Sequence, residues 1–118
     1  MALETLRVRP DFLRAASARR QGTPGFLLQA RARGADEAAD PSTVRVGFTC
    51  SKKVGNAVAR NRAKRRLRAL AREVLPLGAR PGWDYVLVGR PGATIARDYA
   101  DLRADLARAL AQIHGAAK

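Results

Sequence analysis

Apolar and polar residues alternate along three segments of the chain, and this period of two predicts three β-strands. The strands are expected over residues 26–32, 43–51 and 83–90. The second segment shows the pattern most clearly, since Val44, Val46 and Phe48 alternate with Arg45, Gly47 and Thr49. An acidic loop over residues 34–42 separates the first two strands, which are therefore expected to form a hairpin.

A helical period predicts three α-helices, over residues 10–20, 56–75 and 98–113. Pro76 is expected to end the second helix. One face of that helix is apolar and must pack on the sheet; it carries Ala63, Leu67, Leu70, Ala71 and Val74. The closing helix has a similar stripe, made of Tyr99, Leu102, Leu106, Ala109, Leu110 and Ile113. The order helix, strands, helix, strand, helix predicts an α+β fold, a two-layer α/β sandwich around one mixed sheet.

Length and composition narrow the class of protein. A chain of 118 residues is expected to form a single domain over residues 1–118. Cys50 is the only cysteine, which excludes an internal disulfide and a zinc-binding set and favours a reducing, cytoplasmic compartment. Residues 1–14 hold no apolar segment of signal-peptide length, and no stretch approaches the roughly 20 apolar residues that span a bilayer. Neither a membrane nor an obligate protein partner is expected.

Positive charge is the strongest compositional signal. The formal net charge of +13 indicates a polyanionic partner. Residues 52–68 contain eight basic residues and no acidic one, whereas an ordinary solvated helix mixes glutamate with lysine four residues apart. A stripe opposite the apolar face of the second helix consists of Asn61, Arg62, Arg65, Arg68 and Arg72. Arginine suits this position because its planar guanidinium binds phosphate through two hydrogen bonds. An anionic membrane surface is disfavoured, because the helix lacks an opposite face rich in Trp, Phe and Leu.

The basic segment also has a specific residue order. Ser-Lys-Lys-Val-Gly-Asn-Ala-Val at 51–58 is followed by Arg-Asn-Arg at 60–62. Together with the strand before it, residues 45–68, this segment closely resembles the signature of the protein subunit of bacterial ribonuclease P. Weaker agreement covers nearly the whole chain, including an Asp-Phe pair at 11–12, Gly-Trp-Asp-Tyr-Val at 82–86 and the last helix over 99–110.

The resemblance implies a fold and a function. The family fold is an α/β sandwich with a four-stranded sheet and a left-handed β-α-β crossover through the basic helix, against the usual right-handed rule. The family assists an RNA enzyme, an endoribonuclease that removes the 5′ leader from precursor tRNA. By this resemblance the partners are the catalytic RNA subunit and precursor tRNA. The RNA subunit performs the hydrolysis with Mg²⁺ that it binds itself, so no residue of the protein is expected to be catalytic.

Two binding surfaces follow from the resemblance. The surface for the catalytic RNA would comprise Lys52, Lys53, Asn56, Arg60, Asn61, Arg62, Lys64, Arg65, Arg66, Arg68 and Arg72. A cleft between the first helix and the sheet would hold the single-stranded leader, with bases stacked on Phe12 beside a basic wall of Arg31 and Arg45. The chain has Ala16 and Gln29 where the family often has aromatic residues, so its cleft is expected to stack less and to depend more on charge.

Two other classes of protein fit part of the pattern. A ribosomal or general RNA-structure protein would share the charge and the fold type, but it would not need this residue order. A DNA-binding transcription factor would usually need a helix-turn-helix pair or a dimerisation element, and neither is evident. On the basic stripe only Asn61 has a side chain suited to reading bases.

The remaining candidate residues are interpreted as structural. His114 has no visible catalytic partner and is expected in a fraying last turn. Cys50 is expected to be an inert core thiol. The aspartates of the last helix are expected to be helix-start and surface charges rather than magnesium ligands; they are Asp98, Asp101 and Asp105. The aromatic residues expected to pack in the core or anchor the third strand are Phe26, Phe48 and Trp83.

Overall fold

A computed structural model describes residues 2–37 and 39–115, which form one five-stranded mixed sheet with helices on its faces. The strands are β1 (Leu3–Thr5), β2 (Arg19–Gly22), β3 (Phe26–Ala32), β4 (Val44–Thr49) and β5 (Trp83–Gly89). The helices are α1 (Arg9–Ala16), α2 (Ala57–Gly78), α3 (Ala93–Ala96) and α4 (Tyr99–Gly115). The predicted α+β fold around one mixed sheet is confirmed.

The strand β5 lies at the centre of the sheet, whose order is β1-β4-β5-β3-β2. It pairs antiparallel with β3 and parallel with β4. The predicted hairpin of β3 and β4 is therefore wrong, because β5 separates them. The buried run 84–87 explains this position, since a strand covered on both faces belongs inside a sheet. The β-α-β crossover through the basic helix is present as β4-α2-β5, and its left-handed sense stays a prediction.

The two faces of the sheet are covered unequally. The main core lies between the sheet and α2 with α4; all five residues of the predicted apolar face of α2 are buried, and all but Ala63 belong to this core. Phe26 is fully buried there, and Phe48 and Cys50 pack against the same core, as expected. Burial raises the pKa of the Cys50 thiol, which keeps it protonated. On the opposite face, α1 covers a smaller cluster around Ala15 and Val86.

The two edge strands of the sheet, β1 and β2, were not predicted from the sequence. Three exposed residues form β1, too few to show a period, and it pairs parallel with β4. The first helix was predicted to continue to residue 20, but it ends at Ala16. Residues 19–22 form β2 instead, because pairing with β3 satisfies their backbone groups and the exposed Arg19 and Arg20 lose nothing by leaving a helix. The sheet thus has five strands rather than the three counted or the four implied.

The ends of two other elements also differ. Helix α2 continues past Pro76 to Gly78, and the Ala79 N–H still donates to the Leu75 carbonyl at 2.8 Å. A proline removes only its own donor, which the last turn tolerates. The prediction that Asp105 is a surface charge is wrong: its carboxylate is fully buried and accepts hydrogen bonds from Arg97 Nε at 2.7 Å and Nη2 at 3.1 Å. Asp98 and Asp101 are exposed, as expected.

A polar cluster holds the end of α4 against β5, so the prediction that His114 lies in a fraying turn is wrong. Its side chain is buried, and its Nε2 shares a hydrogen bond of 2.7 Å with the Tyr85 hydroxyl. That hydroxyl also accepts the Arg80 N–H at 2.9 Å. The Trp83 ring meets the imidazole edge-on, with centroids 4.6 Å apart, in keeping with its expected role as an anchor. Burial, followed by the charges of Arg80 and Arg19, lowers the pKa of His114.

This cluster predicts a loss of stability in mild acid. The folded pKa of His114 is below its ordinary 6.5, so between those values the unfolded chain binds a proton that the folded chain does not. Stability is therefore complete above about pH 6.5 and falls as the pH decreases. Thermal unfolding followed by Trp83 emission from about pH 7.5 to about pH 5 should show this fall. His114→Gln should flatten it; an unchanged pH profile in that variant would contradict the assignment.

Candidate nucleic-acid interface

Two residues fix how α2 leaves the sheet. Gly55 has φ +144°, a conformation that favours glycine, and a Cβ there would lie 2.8 Å from the Ala59 Cβ. The Asn56 side chain then accepts the Ala59 N–H at 2.9 Å and caps the helix. Asn56 was predicted to bind RNA; the structure gives its side chain this capping bond and leaves it exposed. The Gly-Asn pair therefore directs the basic helix out over the sheet.

The predicted basic stripe is exposed along the whole helix. Exposed side chains include Asn61, Arg62, Arg65, Arg68 and Arg72, and also Lys52 and Lys53 on the short turn before α2. Within residues 2–37 and 39–115, none of these cations forms an ion pair with a carboxylate. Their charge is thus not neutralised by the protein, as a phosphate-binding surface requires.

Other predicted RNA-binding cations lie on the flanks of α2. Arg60 and Lys64 are half-buried, and both act on the nearby Cys50 thiol by lowering its pKa against the larger effect of burial. Arg60 Nε is buried and has no hydrogen-bond partner in the described part of the chain. On one flank, the Arg68 guanidinium lies 5.7 Å from the centre of the Phe48 ring. The contact with Phe48 orients Arg68 without neutralising its charge.

Arg66 has an internal role that the sequence did not indicate. Its guanidinium donates to the carbonyl oxygens of Ile95 and, at 2.7 Å, of Arg97. It also lies 6.0 Å from the centre of the Tyr99 ring. Arg66 therefore fastens the connection between α3 and α4 to the basic helix, and less of its hydrogen-bonding capacity is left for RNA than the stripe residues retain.

The opposite face of the sheet carries Phe12 in close contact with the backbone. A Cβ on Gly47 would lie 2.4 Å from Phe12 Cε1, so the ring can rest on the sheet only because residue 47 is glycine. Helix α1 covers a row of residues that are paired across three strands: Gln29 on β3, Val86 on β5 and Gly47 on β4. One row further, towards the carboxyl ends of β4 and β5, the half-buried side chains are Leu27, Val88 and Thr49. We call this last row the shelf.

Two cations that were not among the predicted site residues border the shelf. Arg20 pairs with Gln29 in register and so points to the same face. The Arg90 guanidinium lies over β2, since a Cβ on Gly22 would be 3.2 Å from its Nη2. Both residues are exposed, and neither forms an ion pair within the described ranges. Their position beside the shelf depends on the pairing of the strands, and the sequence had predicted a helix at Arg20.

On the other side of α1, the predicted basic wall is joined to a buried carboxylate. Asp84 is fully buried on β5. It accepts hydrogen bonds from Arg33 Nη1 at 2.7 Å and from Arg45 Nε and Nη2 at 2.8 and 2.7 Å. Arg31 Nη1 lies 3.6 Å from the same carboxylate. Arg31 and Arg45 were both predicted to contact the leader, and both are already paired within the protein.

Two further carboxylates complete this network. Asp11 on α1 lies 2.9 Å from Arg14 Nη1 and 3.3 Å from Arg45 Nη1. Glu37, in the acidic loop, accepts hydrogen bonds from both terminal nitrogens of Arg31. These bonds lower the pKa of Glu37 to about 2, and the hydrogen bond with Asp84 raises the pKa of Arg45. Glu37 and Arg45 are therefore charged at neutral pH.

With the geometry established, comparison with known proteins identifies the family. The family model described as Ribonuclease P matches residues 2–114. The chain belongs to the ribonuclease P protein family. The ribonuclease P protein component of Ruegeria pomeroyi is 62% identical over 112 residues, which cover 95% of this chain and 87% of that protein. That of Caulobacter vibrioides is 54% identical over 110 residues, covering 93% of this chain and 70% of that protein.

Solved structures of ribonuclease P proteins share the fold. The protein from Thermotoga maritima has a TM-score of 0.72 and 26% identity, covering 92% of this chain and 96% of that one. The protein from Staphylococcus aureus has a TM-score of 0.70 and 22% identity, covering 92% of this chain and 94% of that one. The sheet and crossover described above are thus those of the ribonuclease P protein fold.

As a ribonuclease P protein, this chain has a cleft that is poor in aromatic rings. Of its six aromatic residues, only Phe12 lies on the α1 face; the other five are Phe26, Phe48, Trp83, Tyr85 and Tyr99. Ala16 is exposed and Gln29 is buried under α1. Stacking on this face can therefore involve one ring, and the remaining recognition must come from charge and from the apolar shelf.

Three acidic residues near α1 are paired with arginine side chains. In the described ranges, no three of the His, Cys, Asp and Glu side chains are grouped so that they could hold a metal ion. Asp11, Glu37 and Asp84 lie close together but each is paired with arginine. No helix in the same ranges is long and apolar enough to cross a membrane.

Proposed function

We propose that this ribonuclease P protein binds the catalytic RNA through α2 and holds the 5′ leader of precursor tRNA on the α1 face of the sheet. The observation that carries this proposal is the row of exposed cations along α2 that form no ion pair in the described part of the chain. Binding there assists endonucleolytic removal of the leader. The hydrolysis itself belongs to the RNA subunit and the Mg²⁺ that it binds, and no side chain of this protein is assigned to catalysis.

The contact with the catalytic RNA follows from charge and geometry. Lys52, Lys53 and the stripe arginines project into solvent, and none of them is ion-paired with a carboxylate in the described ranges, so RNA phosphates replace solvent counterions at little cost. Arg60 and Lys64 extend this surface along the flank of the helix. Packing RNA strands together is opposed by phosphate repulsion, and a rigid row of guanidinium groups screens it. The protein would therefore favour the folded form of the catalytic RNA.

The leader path is supported by the continuity of the charged surface around the end of the sheet. The carboxyl ends of β4 and β5 lie side by side because the two strands are parallel. Lys52 follows β4, beside the start of α2, and Arg90 follows β5 with its guanidinium over β2, so cations lie at both ends of the shelf. We infer that a leader leaving the catalytic RNA crosses the shelf, with its phosphates near Arg20 and Arg90, and stacks a base on Phe12. Arg31 and Arg45 lie beyond α1, further along the same face.

Reconstituted cleavage tests the function. Precursor tRNA is incubated at low Mg²⁺ with a bacterial ribonuclease P RNA, with and without this protein, and with the protein alone. Cleavage at the mature 5′ end that needs both components supports the cofactor role, which we place in the cytoplasm without an obligate second protein. If the protein binds RNA tightly but the ribozyme gains nothing, a ribosomal or general RNA-binding function replaces this proposal. Cleavage by the protein alone would contradict it.

Removing the one aromatic ring of the cleft should impair recognition of the leader. Phe12→Ala is expected to weaken holoenzyme binding of precursor tRNA by about 1–3 kcal/mol, the usual value of one stacked base. Binding of mature tRNA, which has no leader, should not change. Leu13→Ala is the matched control, because Leu13 is on the same helix but 54% exposed. Equal losses for precursor and mature tRNA would contradict the assignment of Phe12.

A further inference from the structure

The cavity beside α1 is lined by cations but closed by a carboxylate. It has a volume of about 460 Å³, and its charged lining includes Asp11, Arg14, Arg31, Glu37 and Arg45. The ion-pair network around the cavity also includes Arg33 and Asp84, so that it joins four arginines to three carboxylates. Asp36 also lines the cavity, so four arginines face four carboxylates, and Arg14 is the most exposed of the cations at 53%. The cavity is an arginine-lined site that the protein has filled with its own carboxylates.

The three carboxylates are not held equally. Asp84 is fully buried on the central strand, and Asp11 is held on α1 between two arginines. Glu37 belongs to the loop between β3 and β4, and its side chain remains 26% exposed. Apart from Arg31, its only hydrogen bond in the described ranges comes from the Gly34 N–H at 2.7 Å, within the same loop. Glu37 can therefore leave the cavity by a local loop movement, which neither aspartate can do.

We propose that Glu37 is an internal anion that occupies a second phosphate site, formed by Arg14 and Arg31, and gives way to a phosphate of the distal leader. This inference rests on the proposed function, because it needs a leader that crosses the α1 face. The shelf and this cavity lie on opposite sides of the row covered by α1. A short leader would reach only the shelf and Phe12. A long leader would continue past α1 and compete with Glu37 for the guanidinium of Arg31.

A carboxylate and a phosphate are suited to exchange at this position. Both accept paired hydrogen bonds from guanidinium, and Arg31 already presents both terminal nitrogens to Glu37. The low pKa of Glu37, about 2, means that protonation does not empty the site at neutral pH. In the wild-type protein a phosphate can enter this site only by displacing the charged Glu37 carboxylate. This displacement weakens the binding of long leaders and makes Glu37 a determinant of leader-length preference.

The test compares Glu37→Gln with Asp36→Asn in the reconstituted holoenzyme. Both variants lose one negative charge at the same cavity, but Asp36 forms no ion pair with an arginine in the described ranges. Glu37→Gln should bind long-leader precursor about threefold more tightly at 50 mM salt. It should add about 0.7 to the slope of log K against log salt, so that the advantage shrinks about 2.5-fold by 200 mM. The Glu37→Gln holoenzyme should bind short-leader precursor and mature tRNA with the same affinity as the wild-type holoenzyme.

Each outcome has a defined meaning. If wild-type holoenzyme does not prefer precursor over mature tRNA, the proposed function fails. If it does, but Glu37→Gln behaves like Asp36→Asn or improves short and long leaders equally, the second phosphate site is wrong. Thermal unfolding checks that both variants are folded. Should Glu37→Gln fold poorly, Arg31→Gln supplies a second test, since it should abolish any extra affinity for long leaders; an intact long-leader preference would overturn the proposal.

Discussion

Replacing Arg62 and Arg65 together by alanine should weaken binding of ribonuclease P RNA on the order of 50-fold near 0.1 M salt. Both side chains are exposed on α2 and have no carboxylate partner among the described residues. Each phosphate contact contributes about 0.7–0.9 to the dependence of log K on log salt. Loss of two contacts should therefore lower that slope by about 1.5, and the effect should fade as salt approaches 1 M.

A matched pair of arginines provides the control for net charge. Arg103 and Arg108 are exposed on α4, where they face Glu73 and Asp105 at 4.0 and 3.9 Å. Replacing both by alanine removes the same charge but leaves the α2 stripe intact, so the salt slope should change little. Titrations over a salt series, with a melting curve for each variant, measure the difference. Equal slopes for the two double variants would show that total charge, not the stripe, determines RNA binding.

The sequence predicted the parts of this fold that depend on local periodicity. The strand Phe26–Ala32 and the buried face of α2 agree with the structure because apolar spacing reports burial directly. The two edge strands and the central position of β5 were missed, because strand order depends on pairing between distant segments. Edge strands with exposed residues, such as Leu3–Thr5, carry no alternation that a single sequence could show.

The same difference applies to the candidate site. The α2 stripe was predicted because its cations lie on one helix and are related by helical spacing. The partners of Arg31 and Arg45 were not predicted, since they come from another strand, α1 and a loop. One signal was available: Asp84 interrupts an apolar strand, and a charged residue there is rarely buried unless it is paired. That position could have identified the arginines as structural partners before the structure was known.

Removing that buried carboxylate should produce a large loss of stability. Asp84→Ala leaves three arginines facing a site without a counter-ion, and the Arg33 side chain among them is only 2% exposed. Breaking a buried ion pair from one side costs about 3–5 kcal/mol, because the remaining charge is neither solvated nor paired. The total stability of a domain this size is about 5–15 kcal/mol. The variant should therefore be close to unfolding at room temperature.

Urea unfolding of Asp84→Ala and of Asp98→Ala measures this effect. Asp98 is an exposed acid, and its loss should change stability by less than about 0.5 kcal/mol. Arg33→Met should cost less in the Asp84→Ala protein than in the wild type, because the ion pair is already gone and only the hydrogen bonds of Arg33 to the carbonyl oxygens of Asp40, Thr43 and Trp83 remain to be lost. A loss below about 1 kcal/mol for Asp84→Ala would mean that water solvates these arginines. They would then be available to bind phosphate without displacing Glu37, so this measurement also bears on the second phosphate site.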